Sequence, residues 1–407
     1  MERFISLIGI FVLLGICFLI SENKKKIDIR LVSIGIFIQV VFAFIILKTS
    51  IGRMVFEKLS DFVTKILDFT KEGSGFLFGG LVNDVNSFGF IFAFQVLPTI
   101  IFFSSLMSVL YHLGVMQFII RYIASFMAKF MGTSGAESLS AAANIFVGQT
   151  EAPLVIKPYI EKMTRSELNA VMIGGMATVA GGVMAGYVGM GVDAGHLIAA
   201  SVMSAPAALV AAKIIVPETE ESVTKGNVEF EVEKIDANII DAAARGASEG
   251  LQLALNVAGM LLAFVALIAM VNAGIEGIGN FVGVSGLNLE TILGYICAPL
   301  AYIMGIPAQD MVAAGSLLGT KTVVNEFVAY AQLAEHIKNG TLQPRTITIL
   351  TYALCGFANF SSIAIQLGGI GGLAPNRRSE LAQLGIKALI GGTVAAFLTA
   401  SIAGMLI

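Results

Sequence analysis

Charge is what this chain lacks most. Only 13% of its 407 residues are Asp, Glu, Lys or Arg, against about 25% in an ordinary soluble domain. So few charges cannot cover a folded surface of this size in water. The net charge of −3 provides no basic face, and no nucleic acid is expected as a partner. Cysteine is scarce as well. Cys17, Cys297 and Cys355 stand far apart in apolar runs, which speaks against both a metal site and a disulfide framework. His112, His196 and His336 fall near the ends of apolar spans and do not cluster. With no nucleophile–base pair and no metal cluster in the sequence, an enzyme is not expected. Tryptophan is absent altogether.

What remains is apolar and small. Hydrophobic residues make up 56% of the chain, and 44 residues are glycine. Glycine suits transmembrane packing because it lets helix backbones approach closely. A spanning helix needs about 20 apolar residues. Candidate spans run over 3–20, 31–48, 88–112, 168–190, 195–216, 248–275, 346–372 and 383–407. The first is followed by Lys24, Lys25 and Lys26, the reverse of a signal peptide's charge order. It reads as a retained helix with its N-terminus outside and its lysines in the cytoplasm. Arg121, Lys129, Lys157, Lys162, Arg165, Arg377 and Arg378 fall on the same side in this scheme.

Between the second and third spans, Ile51, Val55, Leu59, Phe62, Ile66 and Phe69 recur at spacings of three and four. That pattern predicts an amphipathic helix within 49–87, lying on the membrane surface or against a partner subunit. Residues 217–236 form the only long polar linker, and no soluble domain is visible.

Two apolar regions are interrupted. Residues 133–162 contain VGQTEAP, and residues 307–336 contain GSLLGTKTVVNEF. A hairpin that enters and leaves on one side fits both, since irregular backbone at membrane depth must be buried in protein or line a wet cavity. Each half repeats one order: a broken segment with a central acid, a glycine-rich span with polar residues at its middle, then a simple span. The acids are Glu151 and Glu326, and the glycine-rich spans start at Gly174 and Cys355. Charge-based topology places one hairpin inside and the other outside, so the repeat is inverted, a pattern that points to a transporter's binding site. The expected fold is an all-α polytopic membrane protein. It has about eight transmembrane helices, two re-entrant hairpins in an inverted repeat and an interfacial helix.

An ionisable side chain at membrane depth costs about 2.5–3.5 kcal/mol, which marks Glu151 and Glu326 as functional candidates. Carboxylates there accept hydrogen bonds from sugar hydroxyls and ring N–H groups. Gln149, Thr150, Asn359, Ser361 and Ser362 add neutral donors and acceptors, and Phe357 offers an aromatic face. Asp310 and Lys321 flank the second break and read as hairpin ends. A proton-driven carrier of a small polar solute is one reading, with Glu151 as its titrating group. A passive channel is a further alternative.

The segments NIFVGQTEAP at 144–153, VVNEF at 323–327 and GFANFSS at 356–362 resemble the signatures of the concentrative nucleoside transporters. The likeness extends over nearly the whole chain, including FLFGGL at 76–81, and matches the shorter bacterial form. It implies a sodium-driven symporter that imports a uridine-like or adenosine-like nucleoside through the bacterial inner membrane as a homotrimer. Gln149, Thr150 and Glu151 would face the base, with Val183 lining that side and Phe357 against it. Glu326, Asn359 and Ser362 would hold the ribose. Sodium would sit among Asn144, Val147, Thr178 and Val179. The implied organisation has scaffold spans and the interfacial helix in 1–130, and a first transport repeat in 131–216. A linker and central long span follow in 217–306, and a second repeat in 307–407.

Overall fold

The computed structural model describes residues 1–226, 236–281, 283 and 286–407. The described residues hold helices and connecting segments and no strand. An apolar chain in lipid must satisfy its backbone polar groups internally, and helices do so within one segment. Helices α1 (Glu2–Leu19) and α2 (Ile29–Lys48) are the first two apolar spans. The predicted amphipathic helix is α3 (Ser50–Phe78). Its buried face is Gly52, Leu67, Thr70 and Ser74, while Ile51, Val55, Phe62 and Phe69 of the apolar stripe are exposed. That stripe is therefore free to meet lipid or a second chain.

Three single-turn helices follow: α4 (Gly80–Asn83), α5 (Val85–Phe88) and α6 (Phe92–Gln95). They lead into α7 (Leu97–His112) and α8 (Val115–Met131). The first broken segment contains α9 (Gly135–Ala143), α10 (Ala152–Val155) and α11 (Lys157–Ile160). The first glycine-rich span is split into α12 (Arg165–Ala177) and α13 (Gly181–Gly189), and α14 (Ala194–Ile215) closes this half.

Helix α15 (Ile239–Phe281) has 43 residues, about 65 Å at 1.5 Å per residue. It is longer than the expected span 248–275 because a polar stretch with Asp241, Arg245 and Glu249 precedes the apolar one. It packs along α7. Gly246 and Gly250 make this possible: a Cβ on Gly246 would lie 2.7 Å from the Ser104 carbonyl, and one on Gly250 2.8 Å from Ile101 Cα. Then come α16 (Leu289–Ile303), the second broken segment α17 (Met311–Val323) and α18 (Glu326–Asn339), the split span α19 (Pro344–Leu354) and α20 (Phe360–Leu373), and α21 (Arg378–Leu406).

Among the described residues, 7 helices are long and apolar enough to cross a membrane, against the eight expected. The difference lies at 346–372, where Cys355–Asn359 separates α19 from α20. Gly356 weakens helix propensity there, and Asn359 starts a new helix by accepting from the Ser362 N–H.

The two halves pack alike. α9 packs on α12 and α17 on α19, while α14 packs on α12 and α21 on α19. Helix α21 also contacts α1, α12 and α14, which puts it at the centre of the fold. Two capping boxes start the first half. Ser134 and Glu137 open α9, and Thr164 and Glu167 open α12. The beginning of the polar linker clamps both. The Gly135 N–H donates to the Thr224 carbonyl at 2.9 Å, and Ser222 Oγ donates to Glu167 at 2.5 Å. Lys213 pairs with buried Glu137 at 2.7 Å. Residues 227–235 of that linker lie outside the described residues.

Candidate functional site

The site begins where four helices stop. α9 ends at Ala143 with Asn144 as its C-cap, and the chain turns through Phe146–Thr150 before α10. Pro153 sits in the first turn of α10, where its missing N–H costs nothing. α12 ends at Thr178, whose backbone is extended at φ −127°, ψ 170°. The β-branched pair Thr178–Val179 followed by Gly181–Gly182 disfavours continuing the helix there. In the second half α17 stops at Val324, α18 starts with Asn325 as cap, and α19 stops at Cys355.

The two split spans touch at their breaks. The Phe357 N–H donates to the Thr178 carbonyl at 3.2 Å. Gly356 permits this approach, since a Cβ there would lie 2.8 Å from the Met176 carbonyl oxygen.

Around this contact the tip of each broken segment bonds across to the other half of the chain. Gln149 Nε2 donates to Ser362 Oγ at 3.0 Å, and Gln366 Nε2 donates to Gln149 Oε1 at 3.1 Å. Gln366 also donates to the Met172 carbonyl at 2.9 Å. The first tip is thus tied to α20. The second tip carries Glu326, 5% exposed, at the first residue of α18, where the helix dipole favours an anion. Its Oε2 accepts from Asn359 Nδ2 at 2.9 Å, and its Oε1 accepts from the Tyr187 hydroxyl at 3.4 Å. Tyr187 belongs to α13 of the first repeat and stacks on Tyr330 with ring centroids 4.1 Å apart. Asn359 Oδ1 is taken by Ser361 Oγ and by the Ser362 N–H.

Glu326, Asn359, Ser362 and Gln149 therefore form one buried polar group, as their sequence neighbourhoods suggest. Val183 is buried on α13, and Phe357 and Thr150 are half-buried. Glu151 differs from Glu326. It is exposed, and its carboxylate folds toward Gly148, where an added Cβ would lie 2.5 Å from Oε2.

The other expected cluster lies between the ends of α9 and α12. Asn144 is 1% exposed, and neither its amide oxygen nor its amide nitrogen has a partner. A buried amide left without hydrogen bonds costs about 1–3 kcal/mol. Thr178 Oγ1 donates to the Gly174 carbonyl at 3.0 Å and keeps its lone pairs. The carbonyls of Val147 and Val179 accept no hydrogen bond among the described residues. An oxygen-rich, neutral, unsatisfied set at two helix C-termini matches the chemistry of a monovalent hard cation.

Comparison with known proteins decides the family. The profile described as "Na+ dependent nucleoside transporter C-terminus" matches residues 196–404, and the corresponding N-terminal profile matches 8–81. A profile described as "Nucleoside recognition" matches 93–194. The chain belongs to the Na+-dependent nucleoside transporter family. It is 51% identical over 403 residues to the uncharacterized transporter YutK of Bacillus subtilis, covering 99% of each chain. It is 44% identical over 409 residues to nucleoside permease NupC of Helicobacter pylori, covering 99% of this chain and 97% of the other. Against sodium/nucleoside cotransporter 1 of Rattus norvegicus it is 43% identical over 420 residues, covering 100% of this chain and 64% of that longer one. The fold is similar to CNTnw in an inward-facing substrate-bound state, with TM-score 0.95, 48% identity, and 100% and 98% coverage. A CNTnw double variant in an outward-facing state matches with TM-score 0.96, 48% identity, and 100% and 99% coverage. The protein is thus a multi-pass membrane transporter from a family whose solved structures face both sides of the membrane.

Two residues of the transporter's polar group escaped the sequence reading, Tyr187 and Gln366. Both lie inside the glycine-rich spans. A polar side chain at membrane depth was the available signal for Gln366. Tyr187 carried none, because an aromatic residue in an apolar span is ordinary packing. Asp310 immediately precedes α17 and accepts from the Gln343 N–H at 3.0 Å and from Thr346 Oγ1 at 2.6 Å. Lys321 sits at the other end of that helix. It lies in the last turn of α17 near the tip and is 1% exposed.

Proposed function

We propose that this transporter is a symporter that imports nucleosides by alternating access, driven by the sodium gradient. The observation that carries the reading is the polar group shared by the two hairpin tips, with the orphaned Asn144 amide beside it. Gln149, Thr150 and Glu151 meet the base, with Val183 and Phe357 beside it. Glu326, Asn359 and Ser362 take the ribose hydroxyls. Sodium is held by Asn144 Oδ1, Thr178 Oγ1 and the carbonyls of Val147 and Val179. Each tip is bonded to the opposite repeat, so occupancy of the site bears on both halves at once. The names of the rat and Helicobacter pylori relatives and the substrate-bound CNTnw structure support a nucleoside as cargo.

The chain crosses the bacterial inner membrane with its N-terminus outside and assembles as a homotrimer. The exposed apolar stripe of α3 is a surface available for that assembly. Residues 131–216 and 307–407 form the two transport repeats. Residues 1–130 supply the scaffold, and 217–306 the linker and central long span. Uptake of labelled uridine into proteoliposomes, with sodium or choline outside, tests the reading. Concentrative uptake only with an inward sodium gradient is expected. Uptake that ignores sodium and follows pH would move the coupling role to a proton at Glu151, and uptake that never exceeds equilibrium would mean a channel.

A further inference from the structure

In each repeat two helix C-termini converge beside a break, but the two junctions are built differently. A helix C-terminus carries about half a negative charge on its unsatisfied carbonyls. In the first repeat the ends of α9 and α12 face a neutral, partnerless amide, Asn144. In the second, the ends of α17 and α19 face an ammonium. Lys321, in the last turn of α17, donates from Nζ to the Ala353 carbonyl in the last turn of α19 at 2.8 Å. The same Nζ lies 6.0 Å from the centroid of the Phe397 ring on α21. Among the described residues that is its only hydrogen bond, and it forms no ion pair. Burying a lysine with so few partners is expensive. What faces the charge is two helix ends, an aromatic face, the Cys355 side chain and, further off, the Glu326 carboxylate, which together attract any monovalent cation.

We propose that Lys321 is the built-in counterpart of the coupling ion: its ammonium fills, in the second repeat, the place between hairpin and broken helix that sodium fills in the first. This rests on the sodium reading given above. The second junction is then permanently neutralised, and Glu326, five residues along the same hairpin, keeps its geometry whatever the ion supply. Only the first junction responds to the gradient. Lys321 is a positioning residue that touches no cargo.

Uridine binding to purified Lys321→Met, Lys321→Arg and Lys321→Ala transporter tests this, each measured over a sodium titration at constant ionic strength. Lys321→Met keeps the volume and removes the charge. It should weaken uridine binding at saturating sodium by about tenfold or more, while Lys321→Arg retains most of it. Lys321→Ala opens space, and added methylammonium should restore binding, a response that lost packing alone would not produce. A folded Lys321→Met protein with wild-type uridine affinity and sodium response would overturn the proposal, as would a Lys321→Ala protein indifferent to methylammonium. If the variants do not fold, the wild type decides. A sodium Hill slope near 1 supports a single responsive junction, and a slope near 2 overturns it. Sodium-independent uridine binding by the wild type would refute the first-repeat site instead, and methylammonium rescue would still report on Lys321.

Discussion

Glu326→Gln isolates the charge at the proposed ribose end of the site. The wild-type carboxylate accepts from Asn359 at 2.9 Å and from Tyr187 at 3.4 Å. In the variant the amide oxygen still accepts from Asn359, and the amide nitrogen can donate to the Tyr187 hydroxyl oxygen. The local fold therefore survives, with the Tyr187 O–H, which loses its acceptor, as the one group left short. What disappears is the anion that a ribose hydroxyl would bond. A hydrogen bond to a charged group contributes about 1.5–3 kcal/mol and a neutral one about 0.5–1.5. The difference, about 1–2 kcal/mol, corresponds to roughly five- to thirtyfold in affinity. Calorimetric titration of the purified variant with uridine, and with its 2′- and 3′-deoxy analogues, reads this out. Uridine should weaken by about tenfold, and the advantage of uridine over the deoxy analogues should shrink. Unchanged uridine affinity in a monodisperse Glu326→Gln protein would refute the assignment. An equal loss for all three ligands would mean that the carboxylate supports the hairpin and does not read the sugar.

Gln149→Ala should change the ranking among base-modified competitors more than among sugar-modified ones; a uniform loss across both sets would reduce Gln149 to a prop for the first tip. Gln366→Leu leaves Gln149 without one partner and should raise the uridine dissociation constant by about three- to tenfold, measured in the same titration. Lys213→Met should lower thermal stability strongly, because it leaves Glu137 buried and unpaired, a change that costs about 3–5 kcal/mol; the double variant Lys213→Met with Glu137→Gln should recover most of the loss in a melting assay. Acid should loosen the Glu22 junction, where Arg165 at 2.9 Å and Lys387 at 2.6 Å hold the carboxyl at about 2, down from 4.5. A depressed folded-state pKa stabilises above the unfolded value and is lost as pH falls from about 4.5 toward 2. Glu22→Gln should therefore flatten stability against pH in that window, by no more than about 1 kcal/mol for so exposed a pair.

The chain's own pattern determined a good deal. Its scarcity of charge and its long apolar runs specify a helical membrane protein, because lipid leaves the backbone no other partner than itself. The acids Glu151 and Glu326 stood out for the same reason, and the broken segments around them marked the breaks. The paired order of features in the two halves suggested the repeat. Local chemistry was enough for these, since each depends on residues within a turn or two.

Tertiary structure decided the rest. Only in the fold do the two breaks touch, through Phe357 and Thr178. Only there does Gln366 reach Gln149 across 217 residues of sequence, and Tyr187 reach Glu326 across 139. The two acids, equivalent in sequence, part company by burial: Glu326 is held by Asn359 and Tyr187, while Glu151 stays exposed. Lys321 read as a hairpin end, because a lysine near a break belongs at a membrane surface. Packing of α17 against α19 carries it inward instead, to the carbonyls at the end of a helix. Periodicity and composition report what one segment prefers to face. Which charge meets which helix end depends on long-range packing, and no local pattern encodes that.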